Sequence, residues 1–311
     1  MPASMLHTLR AWFDSQAAPD PAAAPRGTDW PRVVPFVALH AACLGVLWVG
    51  WSPVALGACV ALYAVRMVAI TGFYHRYFSH RAFRTSRAVQ LAFAVLGASA
   101  AQRGPLWWAA QHRHHHANAD GPGDAHSPRR HGFAWAHVGW FTAREHFATR
   151  LERVPDLARF SELRFLDRFD ILVPALLGLG LYATGELCAA WLPELGTSGP
   201  QLFVWGFAVS TVVLWHATFT VNSIAHTFGS RRYATRDASR NNLWLALLTF
   251  GEGWHNNHHH FPGAARQGFF WWEVDLTYYT LRALAALGLV WDLRPVPAAV
   301  RGARREGRPA G

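Results

Sequence analysis

The sequence predicts an all-α integral membrane protein: four transmembrane helices with a cytoplasmic helical cap that carries a histidine-rich di-metal site. Three observations carry this. Apolar residues make up 51% of the 311, and charged ones only 15%, against roughly 25% in soluble domains. With 16 Trp, 20 Phe and 7 Tyr, so little charge would leave a soluble surface uncovered. Four runs are long and apolar enough to cross a bilayer as helices. Finally, there are 18 histidines, most of them clustered just beyond the ends of those runs.

The elements follow in order. Residues 1–32 are Ala/Pro-rich, balance Arg10, Arg26 and Arg32 against Asp14, Asp20 and Asp29, and lack a signal peptide's apolar core. They read as a cytoplasmic tail with a short helix around Leu6–Phe13. The membrane domain covers 33–293. Its first spans are 33–51 and 54–74, joined by the break at Ser52-Pro53, with Arg66 interrupting the second. Residues 88–101 are too short to cross and read as a buried or interfacial helix. Spans three and four are 171–192 and 201–221, joined by a loop holding Pro193, Gly196, Gly199 and Pro200. The cap comprises 75–170 and 222–293. Within it, 269–291 is apolar and aromatic but broken by Glu273, Asp275 and Arg282, as expected for a helix lying on the interface. Residues 294–311 form a basic tail.

Charge orients these elements. The net charge is +10, from 29 basic residues, all arginine, and 19 acidic ones. Residues 75–170 hold 14 Arg and 8 acids, residues 222–311 hold 11 Arg and 6 acids, and the two short outer turns hold no Arg. Positive segments stay inside, so the cap and both termini are expected in the cytoplasm of a multi-pass protein, with a bacterial inner membrane as its location. The arginines are spread along the chain and flank apolar runs, which argues against nucleic acid. Cys43, Cys59 and Cys188 lie in apolar stretches and read as buried thiols.

The histidine spacing has geometric content. HRYFSH supplies His75 and His80, HRHHH supplies His112, His115 and His116, and HNNHHH supplies His255, His258 and His259. In NSIAH, Asn222 and His226 stand four apart. Positions i, i+3 and i+4 share a helix face, so these rings can converge where helices emerge side by side. Nine imidazoles are too many for one metal and suit two, and imidazole favours Zn, Cu, Fe and Ni. A membrane metal transporter or metal-binding protein is the rival of a different class. It would place ligands within the spans, where only His40 and His216 lie. His7, His40, His131, His137, His146 and His216 read as ordinary surface or core residues, and His126 is left open.

These boxes, with TGFYHRYFSHRAF, DAHSPRRHGFAWAHVGWF, NSIAHTFG, SRNNLWLALLTFGEGWHNNHHHFP and WWEVDLTYYTLRALAALGL, resemble the membrane fatty acid desaturases over about residues 35–293. The likeness is to the delta-9 branch, which includes animal stearoyl-CoA desaturases and cyanobacterial and plant acyl-lipid desaturases. It implies O2-dependent insertion of a cis double bond by a non-haem centre of two Fe ions. The ligands implied are His75, His80, His112, His115, His116, His226, His255, His258 and His259, with Asn222 acting through a water. A related lipid hydroxylase or oxidase is the alternative within the class. His114 and His260 fall outside the matched positions.

An unactivated C–H bond needs a strong oxidant, and a flexible chain must be held in a narrow apolar tunnel. Trp108 and Phe219 are expected to line it, and the resemblance adds Gln102. It also places the far end of the tunnel near Tyr63 and Met67, where a bulky Met67 implies a preference for sixteen-carbon chains. Asp124 and Glu252 are candidates to fix metal-bound histidines. Ala110 and Arg144-Glu145 depart from the basic residues that hold coenzyme A in the animal members, which weakens an acyl-CoA assignment. The long-chain acyl substrate is therefore expected as a phospholipid, acyl-CoA or acyl-carrier-protein ester. Electrons are expected from a separate ferredoxin or b-type cytochrome, which the basic face would steer.

Overall fold

The computed structural model describes Arg10 and residues 12–17 and 27–303. The expected helix at Leu6–Phe13, His7 and the end of the basic tail lie largely outside them. The chain is mostly helical, and among the described residues four helices are long and apolar enough to span a membrane: Trp30–Val49, Pro53–Ser79, Leu172–Trp191 and Gly199–Ser223.

Local chemistry sets their ends. Pro31 sits in the first turn of the first span, where a missing N–H removes no helical bond. That span stops at Gly50, whose φ of +64° suits glycine. The Ser52 hydroxyl accepts from the Ala55 amide (3.1 Å) and starts the second span. The Ser198 hydroxyl accepts from the Gln201 amide and starts the fourth. The two hairpin turns meet. Ser52 donates to Thr197 (3.0 Å), Gln201 Nε2 to the Val49 carbonyl (2.9 Å) and Trp205 Nε1 to the Gly50 carbonyl (2.8 Å). Both turns thus share one end of the bundle, and residues 80–171 and 224–303 leave together from the other.

The spans are unequal. Almost none of the first is fully buried, with Leu47 and Trp48 three-quarters or more accessible, whereas most of the fourth is buried. Gly185 lets the third span press against the backbone of Ser198 and Gly199. Arg66 lies inside the bundle at 1% exposure. It donates to Thr211 (2.7 Å), to the carbonyls of Leu62 (3.0 Å) and Ser99 (3.2 Å), and to Ser210, so its donors are satisfied without a carboxylate.

Two segments differ from expectation. The second span does not end at 74. It continues to Ser79, and over Ala69–Ser79 it winds as a π-helix whose residues are all buried. The segment 269–291 is not one helix. Asp275 accepts from the Tyr278 amide (2.9 Å) and starts a helix at Leu276 that ends at Ala286. Val290–Trp291 then pairs antiparallel with Arg84–Thr85. The short apolar helix is present at Arg87–Ala98, capped by Ser86.

Candidate metal centre

The π-helical winding positions the first histidine pair. Five residues along an α-helix would turn His80 well away from His75. In the π form the His80 amide donates to the His75 carbonyl five residues back (3.3 Å), and the two rings come to 5.0 Å.

His112, His115 and His116 share one face of the helix Pro105–Asn118. A carboxylate distant in sequence holds that helix at its start. Asp167 Oδ1 accepts from the amides of Leu106 (3.0 Å) and Trp107 (2.7 Å), and Gly104 leaves room for its approach. His226 stands in the turn just beyond the fourth span.

His255–His260 is a helix of six residues, too short to persist alone. Two of its own residues, Asn256 and Asn257, are fully buried and tie it down. Asn241 Oδ1 accepts from both their amides (3.0 and 3.1 Å), Asn256 Oδ1 accepts from the amides of Arg232 and Tyr233 (both 2.8 Å), and Asn257 Nδ2 donates to Glu273 (2.9 Å).

These elements bring nine histidines into two adjoining groups: His75, His80, His112, His116 and His258, and His115, His226, His255 and His259. Within each group the nearest ring nitrogens lie within 4.8 Å of one another. The groups touch, with the His116 and His259 rings stacked at 4.4 Å. His114 and His260 stay outside both. His114 bonds the Gly123 carbonyl (2.9 Å) and His260 stacks on Tyr233 (4.1 Å).

Carboxylates fix the ring orientations. His115 Nδ1 lies 3.1 Å from Asp124, His226 Nδ1 3.1 Å from Asp120 and His259 Nδ1 2.9 Å from Asp237. His75 Nδ1 contacts Glu252, which also accepts from Arg76 (3.0 Å) and Gln267 (3.0 Å). Burial would raise the pKa of Asp120, Asp124 and Asp237, but the hydrogen bonds and charges of their histidines outweigh it and hold all three well below the usual carboxylate range. Each is therefore an anion placed to receive an Nδ1–H, and in the neutral ring that tautomer leaves Nε2 as a lone pair aimed into its group.

The donor set fits a transition metal. His258 Nε2 lies 3.0 Å from His75 Nε2 and 2.9 Å from His116 Nε2. One proton cannot serve three nitrogens, but one cation can. His226 Nε2 and His255 Nε2 meet at 3.0 Å. His259 Nε2 is buried with no hydrogen-bond partner among the described residues, an arrangement that is costly unless something accepts its lone pair. Burial, and then the neighbouring imidazoles, push His80, His112, His116, His255 and His258 well below the ordinary histidine value, and burial takes His259 to about 4 against the opposing pull of Asp237. Neutral imidazole is the metal-binding form.

One cavity of about 450 Å3 reaches both groups, touching His75 and His112 of the first and His115 and His255 of the second. Trp108, Phe219, Gln102 and Asn222 line it. Gln102 Nε2 donates to Thr218 Oγ1 (2.9 Å), and Trp108 stacks on His112 at 5.0 Å. Tyr63 and Met67 are not among the lining residues. The Met67 side chain is sealed in packing, and the Tyr63 hydroxyl turns away to donate to the Leu248 carbonyl (2.6 Å). The cavity meets their helix instead at Ile70 and Thr71. His126, left open by the sequence, lines the cavity and stacks on His115 at 4.4 Å.

Several residues escaped the sequence reading: Asp120, Asp237, Asn241, Asp167, Thr218 and Gln267. Asn256 and Asn257 had a visible signal, as two polar residues inside a helix whose other members cluster. The others act across long sequence separations and left none.

Similarity to known proteins gives this arrangement a family context. The profile described as fatty acid desaturase matches residues 30–293. The chain is 38% identical to an sn-2 palmitoyl-lipid 9-desaturase of Nostoc sp. strain 36, covering 84% of this chain and 88% of that protein. It is 37% identical to an acyl-CoA 5-desaturase of Anemone leveillei, over 88% and 81%, and 34% identical to a hex-5-enoyl-[acyl-carrier protein] acetylenase of Moorena producens, over 85% and 84%.

Proposed function

We propose a reaction from a plain premise: the chain belongs to the fatty acid desaturase family and is an oxidoreductase of lipid metabolism. The proposal is that it inserts a cis double bond at the ninth carbon of a saturated acyl chain. Two iron ions would be held by the nine grouped histidines, with Asn222 acting on one of them through a water. The observation that carries this is the single cavity shared by both histidine groups and lined by apolar side chains. In the balanced reaction, –CH2–CH2– becomes –CH=CH–, and O2 with two electrons and two protons becomes two waters. The metals would supply the O2 reduction and the oxidising power that an unactivated methylene demands.

The chain's own residues do the rest. Phe219 and the Trp108 ring would hold the acyl chain and keep water from the histidines. The Gln102–Thr218 hydrogen bond beside Trp108 would bend the chain, so that one C–C unit faces both groups. Asp124, Asp120, Asp237 and Glu252 would keep the imidazoles in the metal-binding tautomer. The nine-position regiochemistry draws on the 9-desaturases among the relatives. In this reading the histidine face and both termini are cytoplasmic, in a bacterial inner membrane, and a ferredoxin or b-type cytochrome docks there.

Fatty-acid profiling in a desaturase-deficient host tests this. The chain should yield a 9-unsaturated product and His115→Ala none. An added oxygen in place of the double bond would make it a hydroxylase, and metal uptake without any lipid change would make it a transporter. Thr71 Oγ1 donates to the Met67 carbonyl (2.8 Å), so Met67 lies one turn beyond the cavity wall. Met67→Ala should lengthen the preferred chain from sixteen to eighteen carbons. An unchanged profile would remove Met67 from chain selection.

A further inference from the structure

We propose that Arg32 and Arg103 form a receptor for one phosphodiester at the mouth of the cavity, which makes the substrate a glycerophospholipid. The proposal rests on the reading above, in which that cavity takes an acyl chain. Both arginines line the cavity, with Trp12, Phe147 and Asp170 beside them. Their guanidinium carbons lie 4.0 and 3.6 Å from the centre of the Phe147 ring, so one aromatic ring holds two cations together.

Each arginine is oriented by a carboxylate. Arg32 Nη1 lies 3.4 Å from Asp29 Oδ2, Arg103 Nε donates to Asp170 Oδ2 (2.6 Å), and Arg103 Nη2 donates to the Phe147 carbonyl (3.0 Å). These contacts leave donors over. Arg32 Nε and Nη2 and Arg103 Nη1 are buried and have no hydrogen-bond partner among the described residues. The Arg32 side chain is only 4% exposed and that of Arg103 17%. Buried guanidinium N–H groups without acceptors are expensive. Arg103 is also held at φ +70°, a conformation that side-chain-bearing residues rarely adopt.

Place and charge identify the ligand. Arg32 lies in the first turn of the first span, and Asp170 just precedes the third, the level at which lipid headgroups sit. Guanidinium pairs suit phosphate oxygens. Asp29 and Asp170 already balance the two cations, so the receptor suits the single charge of a phosphodiester better than the several charges of coenzyme A. In a glycerophospholipid the phosphate lies a few bonds from the acyl ester, so ester and phosphate reach the mouth together. In acyl-CoA the phosphates lie at the far end of the pantetheine arm, away from the ester.

The test is binding to the purified, metal-loaded full chain by native mass spectrometry. The probes are dipalmitoylphosphatidylglycerol, dipalmitoylglycerol and palmitoyl-CoA. Wild type should bind the phospholipid roughly 10- to 100-fold more tightly than the diglyceride. The double variant Arg32→Gln/Arg103→Gln should lose that preference and keep its diglyceride affinity, which also shows that it folds. If the double variant binds neither, Arg103→Lys decides: a reduced preference with intact diglyceride binding supports the receptor, and an unreduced one overturns it. Equal wild-type affinities, a preference that survives the double variant, or an arginine-dependent affinity for palmitoyl-CoA alone would each overturn it. A wild type that makes unsaturated lipid without a headgroup preference removes only the receptor. One that binds no acyl probe and makes no unsaturated product removes the desaturase reading itself.

Discussion

The two histidine groups solve the same problem with different materials. In the group of four, three rings are braced by aspartates: His115 by Asp124, His226 by Asp120 and His259 by Asp237. In the group of five, the one carboxylate contact among the described residues is that of His75 with Glu252, whose charge is shared with Arg76. There the rings support one another instead, Nε2 against Nε2, across the π-helical end of the second span and two other helices. The smaller group therefore offers a cation fewer donors but more negative charge, and the larger group more donors in a nearly neutral setting. Donor number and surrounding charge are two independent ways to hold an ion.

The largest expected effect breaks one group at a time. His112→Ala and His115→Ala should each lower bound metal from two ions to one per chain and abolish desaturation, read by elemental analysis and product profiling. If either variant loses both ions, the groups are one site and the comparison fails. Next come the braces. Asp237→Asn should weaken metal binding about 10- to 100-fold in chelator competition while leaving the metal-free fold intact. Glu252→Gln should do the same and also destabilise that fold by roughly 3 kcal/mol, because Arg76 loses a buried partner. Equal thermal stabilities of the two metal-free variants would remove that distinction.

A smaller effect tests what the groups share. His112 and His115 belong to different groups but one helix, which Asp167 caps. Asp167→Ala should cost about 1–2 kcal/mol in thermal unfolding and loosen both ions together. The mildest test changes only pH, on metal-free protein. The buried rings stay neutral in the fold below the ordinary value near 6.5, where the unfolded chain takes up protons. The unfolded state then binds more protons, so stability is full above about 6.5 and declines as pH falls toward about 4, where His259 titrates in the fold. A flat profile from pH 7 to 5 would mean that the rings take up protons in the folded chain just as they do in the unfolded one.

Much of this was legible in advance. The four spans follow from hydropathy, and their observed ends fall within a few residues of expectation except at Ser79. There a helix of ordinary period would have put His75 and His80 on different faces, and only burial among neighbouring helices sustains the π winding. Asp124 and Glu252 stood out because they flank histidine boxes. Asp120, Asp167 and Asp237 did not, because an aspartate in a polar loop carries no mark of which distant ring or amide it will meet.

The sequence by itself determined the spans, the histidine-rich boxes and the donor chemistry, since hydropathy and residue spacing are local properties that a single strand of chain already possesses. The tertiary structure alone decided how nine rings divide into five and four, which carboxylate braces which ring, and that Arg32 and Arg103 share one aromatic ring with donors to spare. These are distances between residues far apart in the chain, and only packing fixes them.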